Sequence, residues 1–147
     1  MKTIFDPAIK TEIISRINTL SENSQAQWGK MTLDQMLKHC RLWEEMMLGK
    51  TKYKQVFIGR LLGQRILRSV LKDEKPMGRN APTVPAFKIK DHADVLSEKK
   101  KWIALIEEAK PFPYPDITHP FFGKMTKEQV GFLAYKHIDH HLRQFNA

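Results

Sequence analysis

The stretch KHIDHHLRQF, residues 136–145, lies near the C-terminus and carries three of the six histidines of the 147-residue chain. Apolar residues recur at helical spacing before and within it, so we predict one helix over residues 127–145. On such a helix His137 and His141 lie one turn apart and project to the same side. The last helix would therefore turn two imidazoles in one direction.

These two histidines lie in the middle of the apolar arc of the predicted helix. At about 100° per residue, Val130 lies about 20° from His137, and His141 lies about 40° from it. Gln144 falls inside the same arc, and His140 falls at its edge. The charged residues of the stretch fall outside the arc: Lys136, Asp139 and Arg143.

An earlier predicted helix starts in a similar way. The chain reads GKMTLDQ from Gly29 and GKMTKEQ from Gly123, and in each copy glutamine follows a threonine N-cap by three residues, as in a capping box. Counted from its threonine, His39 is seven residues along, and His137 and His141 are eleven and fifteen along. These positions differ by steps of four, so all three imidazoles fall on nearly the same helical face.

The histidine triad, His39, His137 and His141, is a candidate site for a divalent metal ion. Burying imidazoles in an apolar face costs free energy unless their nitrogens find partners. The His-x-x-x-His pair can bring two nitrogens to one metal ion, and His39 from a facing helix would supply the third. Three imidazoles leave positions open for water or substrate, as catalytic sites do. Such ligation suits zinc, nickel, iron or copper. The alternative is a set of core histidines that hydrogen-bond within the protein.

Prolines and glycines divide the chain into helical segments of a single domain, residues 1–147. The periodicity predicts helices at residues 7–20, 33–49, 54–72, 92–109 and 127–145. Residues 73–90 are predicted to be irregular and residues 110–123, KPFPYPDITHPFFG, to form a proline-rich loop. The one candidate strand is TVPAFKI, residues 83–89, which its proline weakens. The fold class is all-α, and the connections favour an antiparallel bundle.

Positive charge is concentrated between Lys50 and Arg79. Nine basic residues against two acidic ones give this segment +7 of the net charge of +9. The predicted helix at residues 54–72 is basic and amphipathic, and such helices bind anionic membranes or acidic partners. Packing of its apolar side chains on the bundle is the simpler interpretation. No motif typical of nucleic-acid binding is present, which argues against that class of partner.

The chain lacks the usual signals of membrane insertion and export. No run approaches the roughly 18 consecutive apolar residues of a spanning helix, and the start MKTIFDPAIK lacks the apolar core of a signal peptide. The single cysteine, Cys40, cannot form an internal disulfide and fits a reducing compartment. We interpret Cys40 as a small core residue and predict a cytoplasmic protein.

KHIDHHLRQF resembles the end of the last helix in the DinB/YfiT-like superfamily of metal-binding helical bundles. That superfamily often shows His-x-x-His-His followed by Arg-Gly-Gln, and here Leu142 and Arg143 replace the Arg-Gly pair while Gln144 keeps the glutamine. MTLDQMLKHC resembles its second-helix motif, with His39 as the first ligand. The HHLRQF ending and the preceding HPFFGKMT are closer to a DinB-like branch known as a domain of unknown function. The resemblance covers about residues 28–145.

The resemblance implies a DinB-like antiparallel four-helix bundle with an additional helix between the second and third bundle helices. It also implies metal ligation by the histidine triad, with His140 beside the site. Characterised relatives include thiol-dependent transferases and isomerases, and some proposed hydrolases. The implied substrate is therefore a small molecule such as a low-molecular-weight thiol. The replaced Arg-Gly pair leaves the particular substrate open.

Three hypotheses about function follow. The first is an enzyme that activates a thiol or water at a divalent metal, with His140 as the nearby acid or base and Gln144 orienting a ligand imidazole. The second is a non-enzymatic stress-response or binding module with a structural or vestigial metal site. The third is an adaptor that uses the basic helix. A homodimer is compatible with each. We interpret His92 and His119 as structural, although His119 could approach the open end of the site.

Overall fold

The computed structural model of the protein describes residues 1–110 and 117–147. Most of the described chain is helical, in α1 (Pro7–Thr19), α2 (Leu33–Met47), α3 (Phe57–Val70), α4 (Val95–Glu108) and α5 (Lys127–Gln144). Each predicted helix is present, with ends that differ by at most three residues. The prediction of a mostly helical protein is confirmed. The middle of the predicted proline-rich loop lies outside the described residues.

The two GKMT segments start α2 and α5 with the same backbone geometry. Gly29 and Gly123 have φ angles of 80° and 78°, in the left-handed region that favours glycine. Each following threonine is the N-cap of a capping box. The backbone N–H of Thr32 donates to Gln35 Oε1 at 3.2 Å, and that of Thr126 donates to Gln129 Oε1 at 2.9 Å. The sequence echo therefore reflects a shared local structure.

Four of the helices surround the core. Helix α2 packs on α4 and on α5, and α1 packs on the same two helices. Large side chains with almost no exposed surface fill the space between them: Ile13, Ile17, Leu37, Trp102, Ile106 and Ile138. The contact between α2 and α5 turns the face that bears His39 toward the face that bears His137 and His141.

Helix α3 packs on a short hairpin that the sequence did not predict. Strands β1 (Thr118–His119) and β2 (Gly123–Lys124) pair antiparallel within the predicted loop. Gly59 and Gly63 of α3 face this hairpin so closely that a Cβ atom at either position would overlap the carbonyl oxygen of Phe121. The buried face of α3 therefore consists of two glycines together with Leu67. The expectation that the apolar side chains of α3 pack on the bundle holds for Leu67 and Val70 and was wrong for the other five large ones, which are exposed.

Helix α5 buries two charged residues that the helical projection put outside its apolar arc. Lys136 Nζ donates to the carbonyl oxygens of Val70 and Asp73 at 2.6 and 2.7 Å. Asp139 accepts from Arg16 at 2.8 Å and from Arg143 at 2.7 Å. The segment after α3 and the helix α1 cover these positions, so α5 is buried on several sides and a single arc does not describe it.

The segment between α3 and α4 contains a short 3-10 helix, Pro85–Phe87, and no strand. The candidate strand at residues 83–89 is therefore not formed. Phe87 is buried against α2, where its carbonyl oxygen lies close to His39. Within the two described ranges, no helix is long and apolar enough to cross a membrane.

Candidate metal centre

The structure brings the three imidazoles of the histidine triad together. One ring nitrogen from each of His39, His137 and His141 lies within 4.8 Å of the other two. The side chains are at most 9% exposed. His137 and His141 share a face because they are one turn apart on α5, and the packing of α2 on α5 adds His39. Two helices therefore supply three nitrogen donors to one point.

Hydrogen bonds fix the orientation of two of the rings. His39 Nδ1 donates to the carbonyl oxygen of Phe87 at 3.0 Å, because a carbonyl can only accept. His141 Nδ1 donates to Gln144 Oε1 at 2.9 Å. Each ring is thus the tautomer with a proton on Nδ1, so its Nε2 is the nitrogen with the lone pair, and that of His39 points to His137 Nε2. An outer hydrogen bond that fixes the tautomer of the ring is typical of metal-ligating histidines.

The third imidazole, His137, lacks a complete set of hydrogen-bond partners within the described residues. Its Nε2 lies 3.1 Å from His39 Nε2, and its buried Nδ1 has no partner. The ring stacks on Trp43 with centroids 4.4 Å apart. Two nitrogens bound to one tetrahedral zinc ion would lie about 3.3 Å apart. The spacing of these two nitrogens therefore fits a shared cation.

Burial keeps the triad neutral at physiological pH. It lowers the pKa of His137 and of His141 well below the usual value of an imidazole, and repulsion from the neighbouring imidazoles lowers both further. The pKa of His39 is lowered as well, chiefly by burial. Neutral imidazoles keep their lone pairs available, and a metal ligand must be in this state.

Gln144 connects the triad to the loop before α2. Its side-chain Nε2 donates to the carbonyl oxygen of Trp28 at 2.8 Å, so its Oε1 is the atom that accepts from His141. Gly29 makes room for this amide, since a Cβ atom there would lie 2.7 Å from Gln144 Nε2. The φ of 80° at Gly29 also favours glycine. The loop thus holds the amide, and the amide holds the ring of His141.

His140 lies beside the triad and not within it. Its ring centroid is 5.1 Å from that of His141 and 5.7 Å from that of Trp28. It borders a surface groove of about 600 Å³ that also contains Arg79 and Arg143. The guanidinium of Arg79 stacks on Trp28 at 4.3 Å. Burial lowers the pKa of His140. The groove thus combines an imidazole with two arginines.

His119, which we interpreted as structural with a possible approach to the site, is buried near the triad, and the buried carboxyl of Glu44 was not expected from the sequence. His119 accepts the backbone N–H groups of Phe121 and Phe122 on Nδ1, each at 3.1 Å, and burial lowers its pKa to about 3. Its ring lies 6.4 Å from that of Trp43, on the side of the triad. Glu44 is also buried, although no inward carboxylate was expected, and it lies one turn from Cys40, whose thiol pKa is raised chiefly by burial. The histidine before a turn was a signal for the first; nothing marked the second.

The comparisons with known proteins define a family. The family model described as "Protein of unknown function (DUF1569)" matches residues 8–147. No curated protein and no solved structure matches the chain. Because the matched region is nearly the whole chain, and because DUF1569 is a DinB/YfiT-like domain of unknown function, the resemblance inferred from the histidine motifs is confirmed: this chain belongs to the DUF1569 family.

Proposed function

We propose that the protein binds one divalent metal ion through His39, His137 and His141. The observation that carries the proposal is the convergence of three neutral, buried ring nitrogens within 4.8 Å of one another. The 3.1 Å approach of His39 Nε2 to His137 Nε2 supports it, because this spacing also suits two nitrogens that share one cation. Zinc, nickel, iron and copper all suit three imidazoles.

We further infer that α1, α2, α4 and α5 form the DinB-like antiparallel four-helix bundle, with α3 as the additional helix. The pairwise packing of α1 and α2 on both α4 and α5 supports this arrangement. Such a bundle holds its metal ligands on facing helices. In this arrangement the rigid core, rather than a loop, sets the distances within the triad.

The proposed activity is that of an enzyme in which a thiol or water becomes the nucleophile. A divalent metal supplies the Lewis acidity that makes these groups nucleophilic near neutral pH. The protein's own residues prepare the site. Phe87 and Gln144 hold two of the rings through hydrogen bonds, and Trp43 covers the third and excludes water. A thiol-dependent transferase or a hydrolase is the reaction class that these roles support.

His140 is the candidate for proton transfer. It stands next to His141, it is partly exposed, and it faces the groove where a small molecule would bind. A general acid or base needs this combination of reach and access. Arg79 and Arg143 border the same groove and would hold an anionic group of the substrate, such as the carboxylate of a low-molecular-weight thiol.

A second candidate function is a non-enzymatic module in which the metal is structural. The observation that favours it is the burial of the triad, since structural sites are closed to solvent. The two candidates differ in what the metal does for the fold. A structural metal would add most of the folding stability, whereas a catalytic metal would leave the fold intact when removed.

The test uses protein purified without a histidine tag. Elemental analysis and calorimetric titration should give about one divalent ion per chain, with binding that weakens as the pH falls through the lowered pKa values of the triad. His39→Ala, His137→Ala and His141→Ala should each abolish tight binding. His140→Ala is the matched control, because it removes a neighbouring imidazole and should keep the metal. Loss of metal binding in His140→Ala alone would show that the ligands are assigned wrongly.

Activity is then assayed with small thiols and electrophiles, and with hydrolysable esters, while a chelator removes the metal. Turnover that disappears with the metal, and that His140→Ala lowers by about 10²-fold or more, would support the enzyme. Helicity that collapses with the metal, followed by circular dichroism, would favour the structural module. Turnover that persists in the metal-free protein would contradict the catalytic role of the triad.

A further inference from the structure

Helix α3 exposes an apolar face that nothing in the described residues covers. Seven large hydrophobic side chains are exposed in the described part of the chain, and five of them belong to this helix. They are Phe57 at 76%, Ile58 at 50%, Leu61 at 64%, Leu62 at 42% and Ile66 at 38%. A contiguous exposed apolar patch marks an interaction surface in most proteins, whereas scattered exposed residues do not.

The contacts of α3 with the hairpin fix the direction of this face. Gly59 and Gly63 lie against the backbone of Phe121 so closely that no side chain fits between them. Gln64 Nε2 donates to the carbonyl oxygens of Phe122 and Lys124 at 2.6 and 2.7 Å. A rotation of α3 that buried its large side chains would break these contacts and place bulk where only glycine fits. The outward direction of the apolar residues is therefore built into the packing.

Cations surround the exposed apolar residues, and no acidic residue interrupts them. From Lys50 to Lys72 the chain has seven basic residues and no aspartate or glutamate. In the described ranges only Lys50 of this segment forms an ion pair, with Glu108 at 2.6 Å. By helical geometry Arg65 and Arg68 continue the direction of Phe57 and Leu61 along the C-terminal half of α3, and the exposed Lys72 follows just after the end of the helix. The outer face is thus apolar in its first half and cationic in its second.

We propose that the outer face of α3 binds the surface of an anionic lipid bilayer. Phe57, Ile58, Leu61 and Leu62 would enter the boundary between headgroups and acyl chains, as the apolar faces of interfacial helices do. Arg65, Arg68 and Lys72 would contact lipid phosphates, because juxtamembrane cations are attracted to anionic leaflets. This surface is separate from the triad and does not depend on the proposed metal chemistry.

Charge decides between a bilayer and a second copy of the chain. A second copy of the chain would offer this face of α3 no acidic residue, so the cations of a symmetric dimer would meet other cations or apolar side chains without a counter-charge. An anionic bilayer instead presents both partners on one surface: acyl chains that the leucines can enter, and phosphates that the arginines can contact. The net charge of +9 acts in the same direction over longer range.

The experiment is co-sedimentation of the full chain with lipid vesicles. Vesicles of phosphatidylcholine alone are compared with vesicles that contain about one-third phosphatidylglycerol, at about 0.05 M and about 0.5 M salt. Binding is expected to the anionic vesicles at low salt, and it should fall steeply at high salt and with neutral lipid. Absence of binding to anionic vesicles at low salt would overturn the proposal, as would a salt-dependent dimer that forms through α3 instead.

Matched variants separate the face of α3 from general properties of the protein. Leu61→Ser should weaken vesicle binding at least about threefold, and the triple variant Arg65→Gln, Arg68→Gln, Lys72→Gln by about 10²-fold. Leu96→Ser is the control for the first, since Leu96 is 69% exposed on α4. Lys88→Gln, Lys90→Gln and Lys100→Gln together are the control for the second, because they remove the same charge elsewhere on the surface.

Equal losses of vesicle binding in variants and controls would overturn the assignment to α3. Helicity and metal content, which these exposed substitutions should leave unchanged, verify that each variant is folded.

Discussion

The helix pair α2 and α5 and the helix α3 depart from the usual placement of side chains in opposite ways. The pair buries polar groups: His39, Glu44, Lys136, His137, Asp139, His141 and Gln144. Helix α3 exposes large apolar groups and buries two glycines. Each departure costs free energy unless a partner offsets it. The buried polar groups of α2 and α5 and the exposed apolar groups of α3 therefore indicate two places where a ligand or a binding partner outside the chain would offset the cost.

Within the helix pair, the partners show which polar groups are structural. Lys136 meets two carbonyl oxygens, and Asp139 meets two arginines. The buried atoms without a partner among the described residues include His137 Nδ1 and Glu44 Oε1. The first belongs to the histidine triad, and the second stands beside Cys40, one turn along α2. Among the residues that the structure describes, the triad is the one place where several nitrogen, sulfur or carboxylate ligand atoms converge.

The largest expected effect tests whether the outer face of α3 is free of partners. Leu67 is fully buried and Leu61 is 64% exposed on the same helix. Leu67→Ala should lower the free energy of unfolding by about 2–5 kcal/mol, whereas Leu61→Ala should change it by less than about 0.5 kcal/mol. Urea unfolding followed by circular dichroism measures both. Comparable losses of unfolding free energy in the two variants would mean that the outer face of α3 is covered in solution. The contrast between α3 and the pair of α2 and α5 would then not hold.

A second effect concerns the buried carboxyl of Glu44. Burial raises its pKa from 4.5 to about 8, so between these values the folded protein holds a proton that the unfolded chain has lost. This carboxyl therefore makes the free energy of unfolding fall as pH rises, by up to about 1.4 kcal/mol per pH unit. The fall should be visible above about pH 7, because the buried imidazoles, whose pKa values are lowered, are then mostly neutral in the folded and the unfolded chain alike. The contribution is fully present below 4.5 and is lost as pH rises through about 8.

Glu44→Gln removes the titrating proton and should flatten this dependence. Glu22→Gln, at an exposed carboxylate, is the control and should leave the slope as it is in the parent protein. Urea unfolding between about pH 7 and pH 8, above the titration of the imidazoles in the unfolded chain, measures the slope. If Glu44→Gln keeps the full decline toward alkaline pH, the carboxyl of Glu44 is ionised in the folded protein and has found a partner.

The smallest expected effect sharpens the role of the hydrogen bonds around the triad. Gln144→Ala should weaken metal affinity by about 10–100-fold, since it frees the ring of His141. Gln144→Glu keeps an acceptor for His141 Nδ1 but loses the donor to Trp28, and it should retain more of the affinity. Competition with a metal-binding dye gives the dissociation constants. Equal affinity in all three proteins would make Gln144 a purely structural residue.

The sequence predicted the helices and the composition of the triad because both depend on local periodicity. Steps of four from two threonine caps relate His39 to His137 and His141, and the capping boxes are formed. The caps set the phase of each helix, so a face could be inferred without knowledge of the tertiary structure. The same reasoning identified Gln144, whose contact with His141 is present, although its role in metal binding stays a prediction.

The burial of the charged residues of α5 and the exposure of the apolar residues of α3 depended on tertiary contacts, which hydrophobic periodicity does not encode. Lys136 and Asp139 are buried because α1 and the segment after α3 cover them. The apolar residues of α3 are exposed because Gly59 and Gly63 approach the hairpin more closely than any side chain would permit. A helical projection shows which residues share a face, but it does not show which face meets a neighbour. Glycine spacing was the missing signal, since two glycines one turn apart mark a close backbone approach.

The stacking of Trp43 on His137, 4.4 Å between centroids, gives the molecule an internal fluorophore at the proposed site. Nickel, copper and iron ions, which have partly filled d shells, quench indole emission at such short range, whereas zinc has a filled shell and does not. Trp102 lies fully buried on α4 and Trp28 lies beside His140, so the three indoles of the chain report from different surroundings. The emission of Trp43 would therefore distinguish bound zinc from nickel, copper or iron in a dilute sample, with no label attached.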